Sequence, residues 1–247
     1  MPGFGARAAF WGGLLVLGLM ATPGRAQVWQ QQGQPPLLIE LYTSEGCSSC
    51  PPADARLASL LQHPDLWRRV VPLAFHVDYW GHLGWRDPFA RPAYSQRQRS
   101  LLARGRLRSL YTPAWVVDGT EWRGFFQHQP WPTPRPRTAG ALRAELQGAR
   151  LHVAYRAEGG SDGPRVAHLA LLAFDRVSQV GAGENRGRRL PHQFVVVEQQ
   201  QARGTDEWWF DLRSSIDARR ALVVWLGAAQ QAEPLQVVAG WLEQGVE

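Results

Sequence analysis

The feature that most constrains this chain is a short apolar run that ends at a pair of cysteines. Leu37-Leu38-Ile39-Glu40-Leu41-Tyr42 reads as a buried strand, Thr43-Ser44-Glu45-Gly46 as a loop, and Cys47-Ser48-Ser49-Cys50 follows at once. Pro51-Pro52 then opens a segment with apolar residues at Ala53, Leu57, Leu60 and Leu61, a helical spacing. Proline suits a first helical turn, where its missing N–H is no loss, and Asp54 suits the positive end of the helix dipole. These are the only two cysteines in 247 residues, which excludes a multi-disulfide scaffold and an iron–sulfur protein. The 27 basic residues are all arginine, so Schiff-base and phosphate-loop lysine chemistry are excluded too.

The flanking sequence sets the organisation. Met1 to Ala26 carries Arg7, an apolar run from Ala8 to Met20, and small residues at Gly24 and Ala26, the pattern of a Sec-type signal peptide cleaved after Ala26. Its apolar core is too short for a stable membrane anchor, so the expected location is periplasmic or secreted. Cleavage removes Arg7 and Arg25 and no acid, which leaves a mild positive bias. Arg97, Arg99, Arg104, Arg106 and Arg108 cluster as a solvated helical face would, and nothing resembles a nucleic-acid module. Residues 27–36 read as a linker and Val70 to Val77 as a second strand. The aromatic stretch Asp78 to Tyr94 leads into a helical, arginine-rich segment. Tyr111-Thr112-Pro113 precedes a third strand, Ala114 to Val117, whose hairpin turn is Asp118-Gly119, with Glu121 to Phe126 returning. Pro130 to Pro136 is a stiff connector and Ala139 to Leu146 a last helix. From Leu151 onward six short apolar runs separated by turns predict an all-β, sandwich-like unit over 149–247.

A Cys-x-x-Cys pair that follows a buried strand and opens a helix carries chemistry. Amides of the first helical turn would point at the sulfur of Cys47, stabilise its thiolate and favour attack on a disulfide, with Cys50, one turn in, resolving the product. A purely structural disulfide closes too few residues to constrain the unfolded chain much. A metal site would need more ligands than the two thiolates, and His63, His76 and His82 form no ligand-spaced set with them.

The order strand, Cys-x-x-Cys, helix, strand, Thr-Pro, strand, Asp-Gly turn, strand, helix resembles the thioredoxin fold, in which a cis-proline loop faces the two cysteines. That resemblance implies an α/β thioredoxin-like domain over 37–148, followed by the all-β sandwich-like C-terminal domain. The excess length, 78–107, would be an insertion beside the active site. At finer grain, Glu40 to Asp54 is similar to the signature of an uncharacterised secreted family, domain of unknown function 1223. His76-Val77-Asp78-Tyr79-Trp80, Gly84-Trp85-Arg86-Asp87-Pro88-Phe89, Arg97-Gln98, Tyr111-Thr112-Pro113 and Gly183-Glu184-Asn185-Arg186-Gly187 continue it. The family brings no substrate. Ser48-Ser49 between the cysteines differs from the dipeptides of reducing and of oxidising thioredoxins, so direction is not inherited.

The expected activity is thiol–disulfide exchange by Cys47 and Cys50 on protein or peptide clients, with a recycling redox partner and no cofactor beyond the Cys47–Cys50 disulfide itself. A non-enzymatic envelope binding module is the alternative, and a metal-binding chaperone a further one. Tyr111, Thr112 and Pro113 would present backbone to an extended client, with Trp80, Trp85 and Phe89 as a wall of the same groove. Glu40 reads either as a buried acid that takes the proton of Cys50 or as a solvent-facing residue. His76 and Asp78 read either as a core pair or as an acid–base pair.

Overall fold

Two seven-residue runs are buried along their whole length, β2 (Leu37–Thr43) and β3 (Val70–His76). Strands covered on both faces need such near-continuous apolar sequence. They pair in parallel, from Leu37 opposite Val70 to Thr43 opposite His76, and a parallel pair requires a crossover. That crossover is α1 (Cys50–Ala58), which starts at the second cysteine and continues into a 3-10 turn, Ser59–Gln62. On the other edge of β2 lies β4 (Ala114–Val117), antiparallel, followed by β5 (Thr120–Glu121). The computed structural model describes residues 26–134, 136–159, 163–213, 219–228 and 233–243. Ala26 apart, the expected signal peptide lies outside the described residues.

The remaining strands are β1 (Gln27–Gly33), β6 (Ala139–Gln147), β7 (Arg150–Arg156), β8 (Arg165–Ala173), β9 (Arg176–Gln179), β10 (Arg189–His192), β11 (Val195–Gly204), β12 (Glu207–Asp211), β13 (Arg220–Ala228) and β14 (Pro234–Trp241). A second α-helix, α2 (Pro92–Ala103), lies between β3 and β4 in the chain. The largest sheet has eight strands in the order β14-β13-β8-β11-β3-β2-β4-β5. A four-stranded sheet, β1-β6-β7-β12, packs on its C-terminal half through Leu142, Leu151, Val153, Leu169, Leu222 and Val224. The β9–β10 hairpin stands apart from both sheets.

The expected fold class is overturned. The chain is mostly β, 45% strand against 16% helix, and two α-helices occur among the described residues. It is not an α/β thioredoxin-like domain followed by a separate all-β sandwich-like domain. The two halves share the eight-stranded sheet, joined where Val195 of β11 pairs with Ala74 of β3 and the Ala74 N–H donates to the Phe194 carbonyl at 2.8 Å. An open edge on β3 would leave backbone groups unpaired, and β11 takes up that edge at Ala74.

Local expectations changed for the same reason. Gln27–Gly33, read as part of a linker, is β1 and pairs with β6. Ala139 to Leu146, read as a helix, is β6: burial alternates along it, with Gly140, Leu142, Ala144 and Leu146 inward. That period-two pattern, and not the helix-favouring alanines, decides its conformation. The returning strand stops at Glu121, and Gly124–Gln127 is a 3-10 turn. The expected insertion, 78–107, holds α2, whose Tyr94 hydroxyl donates to the Val196 carbonyl of β11 at 2.9 Å, so the helix straps the seam.

A Cβ on Gly140 would collide with the backbone carbonyl of Arg156 on the neighbouring β7. Backbone in a paired ladder has little room to yield, so Gly140→Ala is expected to cost about 3 kcal/mol. Chemical denaturation of the variant beside wild type measures it, and a change under 1 kcal/mol would show that the β6–β7 ladder yields at this position.

Candidate functional site

The loop between β2 and α1 places both cysteines at one end of the large sheet. They form a disulfide with Cα atoms 5.4 Å apart, a separation typical of such bonds. Cys47 is 1% exposed and Cys50 0%, while Ser48 and Ser49 between them are exposed. The Ser49 hydroxyl lies 3.3 Å from Cys47 Sγ. A disulfide sulfur carries no proton, so here serine donates. Gly46 permits the tight approach of the insertion: a Cβ there would sit 2.8 Å from the Cβ of Trp80.

The Thr112–Pro113 bond is cis, and the Thr112 carbonyl oxygen lies 3.7 Å from Cys47 Sγ. This contact becomes a thiol hydrogen bond only on reduction. Trp80 Nε1 donates to Thr112 Oγ1 at 2.8 Å. The Tyr111 hydroxyl donates to Glu121 at 2.7 Å, and its carbonyl accepts from Gln98 at 2.8 Å. Thr112 and Trp80 therefore meet the cysteine loop, while the Tyr111 side chain is turned to Glu121. Trp85 reaches the same loop from its other side, donating to Glu45 Oε2 at 2.7 Å. Phe89 turns inward and packs edge-on against His76 and His192, with ring centroids 5.2 and 5.5 Å away.

The expected acid–base residues separate. Glu40 is buried, but its carboxylate takes two hydrogen bonds from Arg97, both 2.8 Å, and one from Tyr42 at 2.9 Å. Burial works against the Arg97 charge, yet Glu40 outweighs it and raises the guanidinium pKa. Glu40 is thus an ion-pair partner in the core, beside neither cysteine's sulfur in its hydrogen bonding. Asp78 is exposed and bonds with the Ser95 hydroxyl and, through its own N–H, with Ser95 Oγ. His76 is not paired with Asp78. Its Nδ1 lies 2.7 Å from Asp87 Oδ2, with both side chains buried. Burial disfavours the imidazolium, but Asp87 beside it wins and holds the His76 pKa above its ordinary value. Burial likewise raises the Asp87 carboxyl, and His76 together with the amides of Glu45 and Phe89 brings it below the usual carboxylate range.

Several residues around the cysteines have no catalytic or binding role marked in the sequence. His192 Nε2 lies 2.8 Å from Glu45 Oε1, both buried, and its ring is 5.0 Å from that of His76. The outer nitrogens, His76 Nε2 and His192 Nδ1, are buried with no hydrogen-bond partner among the described residues. Asp54 lies one helical turn after Cys50, hence on the same face of α1. Burial pushes its carboxyl up to about 6, against the pull of His76 and His192, and the Thr43 hydroxyl donates to it at 3.1 Å. Among the described residues, no group of three or more histidine, cysteine or acidic side chains is arranged to hold a metal ion. His63 instead accepts the Asp65 N–H, and His82 lies on the surface beside Trp80.

The Gly183–Gly187 segment, a turn by default, is the tip of the β9–β10 hairpin and covers the cysteine loop. Asn185 is wholly buried, and its amide donates to the Glu45 carbonyl at 2.9 Å and the Cys47 carbonyl at 2.8 Å. The Ser48 N–H donates to Glu184 Oε2 at 2.8 Å. Both glycines at the ends of the segment take positive φ, 75° and 81°, a conformation that suits glycine. The expected row of helix-end amides around Cys47 is thinner than its position suggests. Ser48 N–H is held by Glu184, Cys50 N–H by the Cys47 carbonyl at 3.2 Å, and Pro51 and Pro52 have none.

A family model described as "Protein of unknown function (DUF1223)" matches residues 38–227. Among solved structures, protein AGR_C_4864 from Agrobacterium tumefaciens is 24% identical with a TM-score of 0.57, over 88% of this chain and 99% of that one. HBP35 of Porphyromonas gingivalis is 15% identical with a TM-score of 0.51, over 87% of this chain and 80% of that one. Both likenesses are of fold. No curated protein matches.

Asp54 binds its proton more tightly in the folded chain than in the unfolded one. Its contribution therefore favours folding below about pH 4 and is lost as pH rises through about 6. Asp54→Asn keeps an acceptor for Thr43 and removes that cost. The variant should be more stable than wild type at pH 7, by up to about 3 kcal/mol, and no more stable at pH 3.5. Denaturant midpoints at the two pH values check this; an equal gain at both would sever the effect from the carboxyl charge.

Proposed function

The chain belongs to the DUF1223 family, whose function is unknown, and we propose that it is a thiol–disulfide oxidoreductase acting on protein or peptide clients through Cys47 and Cys50. The observation that carries this reading is the Cys47–Cys50 disulfide seated between a serine hydroxyl and the Thr112 carbonyl at the mouth of α1. So short a loop gains only about 2 kcal/mol from closure, a weak reason to hold the pair for stability alone.

In the oxidising direction a client thiolate attacks Cys47 Sγ. The Cys47–Cys50 bond breaks, and Cys50 leaves with the electron pair and takes up a proton. A second client thiolate then attacks the client sulfur of the mixed disulfide and expels the Cys47 thiolate. The client dithiol is oxidised to a disulfide and the cysteine pair is reduced by the same two electrons. In the reducing direction Cys47 thiolate attacks the client disulfide and Cys50 resolves the product. The Ser49 hydroxyl stabilises the Cys47 thiolate in either direction, and Asp54, on the face of α1 that holds Cys50, is the nearest acid in sequence to exchange its proton.

Cys47 itself is enclosed, so a client reaches its sulfur by moving the exposed Ser48–Ser49 turn. Trp80, bonded to Thr112, forms the wall against which an extended client lies. An exported location, through cleavage after Ala26, places the protein where disulfides persist, and a recycling redox partner completes the cycle.

Cys50→Ala tests the reading. In an oxidising extract the variant should accumulate mixed disulfides with client proteins through Cys47, resolved by non-reducing electrophoresis and absent from Cys47→Ala. The reduced wild type should react with iodoacetamide near neutral pH. If Cys47 stays unalkylated, and the same partners are recovered with or without it, the fold is a docking module and the disulfide a clip.

A further inference from the structure

Resting on that reading, we propose that Glu184, from the opposite half of the chain, is a positioning residue that sets the redox poise of the cysteine pair toward the disulfide, making the protein an electron donor to its clients.

A dithiol is stabilised, and its disulfide becomes a stronger oxidant, to the extent that its nucleophilic sulfur is stable as a thiolate. Backbone N–H groups at the start of a helix are the usual source of that stability. Here fewer of them are available. The Ser48 N–H, next in sequence to Cys47, donates to Glu184 at 2.8 Å, and the two following helical positions after Cys50 are prolines. Glu184 also brings a full negative charge to within one residue of the sulfur. A glutamate is ionised at neutral pH, and the Ser48 N–H lowers its pKa further. The placement is built and not incidental. Glu184 rides on a hairpin tip that Asn185, fully buried, anchors to the carbonyls of Glu45 and Cys47. Thiolate formation at Cys47 thus meets a competitor for its donor and a like charge beside it, and both terms favour the disulfide.

Glutathione reads the equilibrium directly: the reduced pair and glutathione disulfide give the Cys47–Cys50 disulfide and two glutathione thiols, with two electrons and two protons passed on. Glu184→Gln keeps an oxygen for the Ser48 N–H and removes only the charge. Relative to wild type, the variant should show a lower apparent pKa for Cys47 in the pH profile of iodoacetamide alkylation. Its equilibrium with glutathione should shift toward the dithiol roughly three- to tenfold, the size of a half to one unit in thiol pKa. Glu184→Ala should shift it at least as far. Access to the sulfur does not enter an equilibrium constant, so a loosened turn alone would not move it.

Should the variants fold poorly, wild type in 1 M salt supplies the same readout. Screening of an exposed charge should move its equilibrium in the same direction as Glu184→Gln. Unchanged equilibria in the variants, or no salt effect on wild type where the variants fail, would overturn the role of Glu184 while leaving exchange activity intact. A wild type without a reactive Cys47 would instead remove the reading beneath it.

Discussion

The structure depends on a single seam. β3 has β2 on one side and β11 on the other, and the β11 side begins with one residue pair, Val195 with Ala74, and the bond from the Ala74 N–H to the Phe194 carbonyl. Because that pairing exists, two stretches of chain that would otherwise be neighbours become one eight-stranded sheet. The seam also fixes where the next element can go. β10 ends three residues before β11 begins, so the β9–β10 hairpin must project over the end of the sheet at which β2 delivers the cysteines. α2 locks the arrangement from one face, through Tyr94 on the Val196 carbonyl and through Arg97, which stacks on Phe75 and Trp225 while bound to Glu40.

Beneath the cysteine loop the protein concentrates ionisable groups in pairs: His76 with Asp87, His192 with Glu45, and Arg97 with Glu40. Buried charge is tolerated only with a partner, and a pair replaced by apolar side chains of equal volume is often no less stable. What such pairs supply here is direction. Glu45 takes one bond from His192 and one from Trp85, so the residue two positions before Cys47 is held from two sides. Asp54 is the exception, a carboxyl partnered by a hydroxyl alone in its hydrogen bonding, and burial drives it toward the neutral form.

How much of this was legible in the sequence follows from what periodicity can express. The strand–Cys-x-x-Cys–helix unit was readable because apolar continuity, two prolines and a helical spacing agree over some twenty residues. The family resemblance was readable from motifs spread along the chain, and residues 38–227 match that family. The fold class was not. A strand's pattern reports how it is buried, not which strand lies beside it, so nothing in Val195 or Ala74 announces their pairing. Ala139 to Leu146 misled because alanine and leucine favour helices, while the deciding signal was the inward alternation of Gly140, Leu142, Ala144 and Leu146. His76 and Asp78 looked like a pair from proximity in sequence, yet β3 ends at His76 and Asp78, in the loop beyond, bonds with Ser95; Asp87, within the insertion, is the true partner of His76. Glu184 and Asn185 sat in a quoted motif, but a glycine-flanked polar turn carries no mark of what it will touch.

The hairpin over the cysteines has a consequence for biosynthesis. Asn185 stands 138 residues after the Cys47 carbonyl it binds, so a chain emerging from its N-terminus exposes both thiols long before their cover has been made. Contacts of such range form late, after local strand and helix pairing. Until then the thiols lack the carboxylate of Glu184 and the anchor of Asn185, and they meet oxidants under different electrostatic terms from those of the finished molecule. A chain that stops short of the hairpin can still carry the motif but cannot complete its surroundings. The assembled site therefore certifies that translation reached well into the second half.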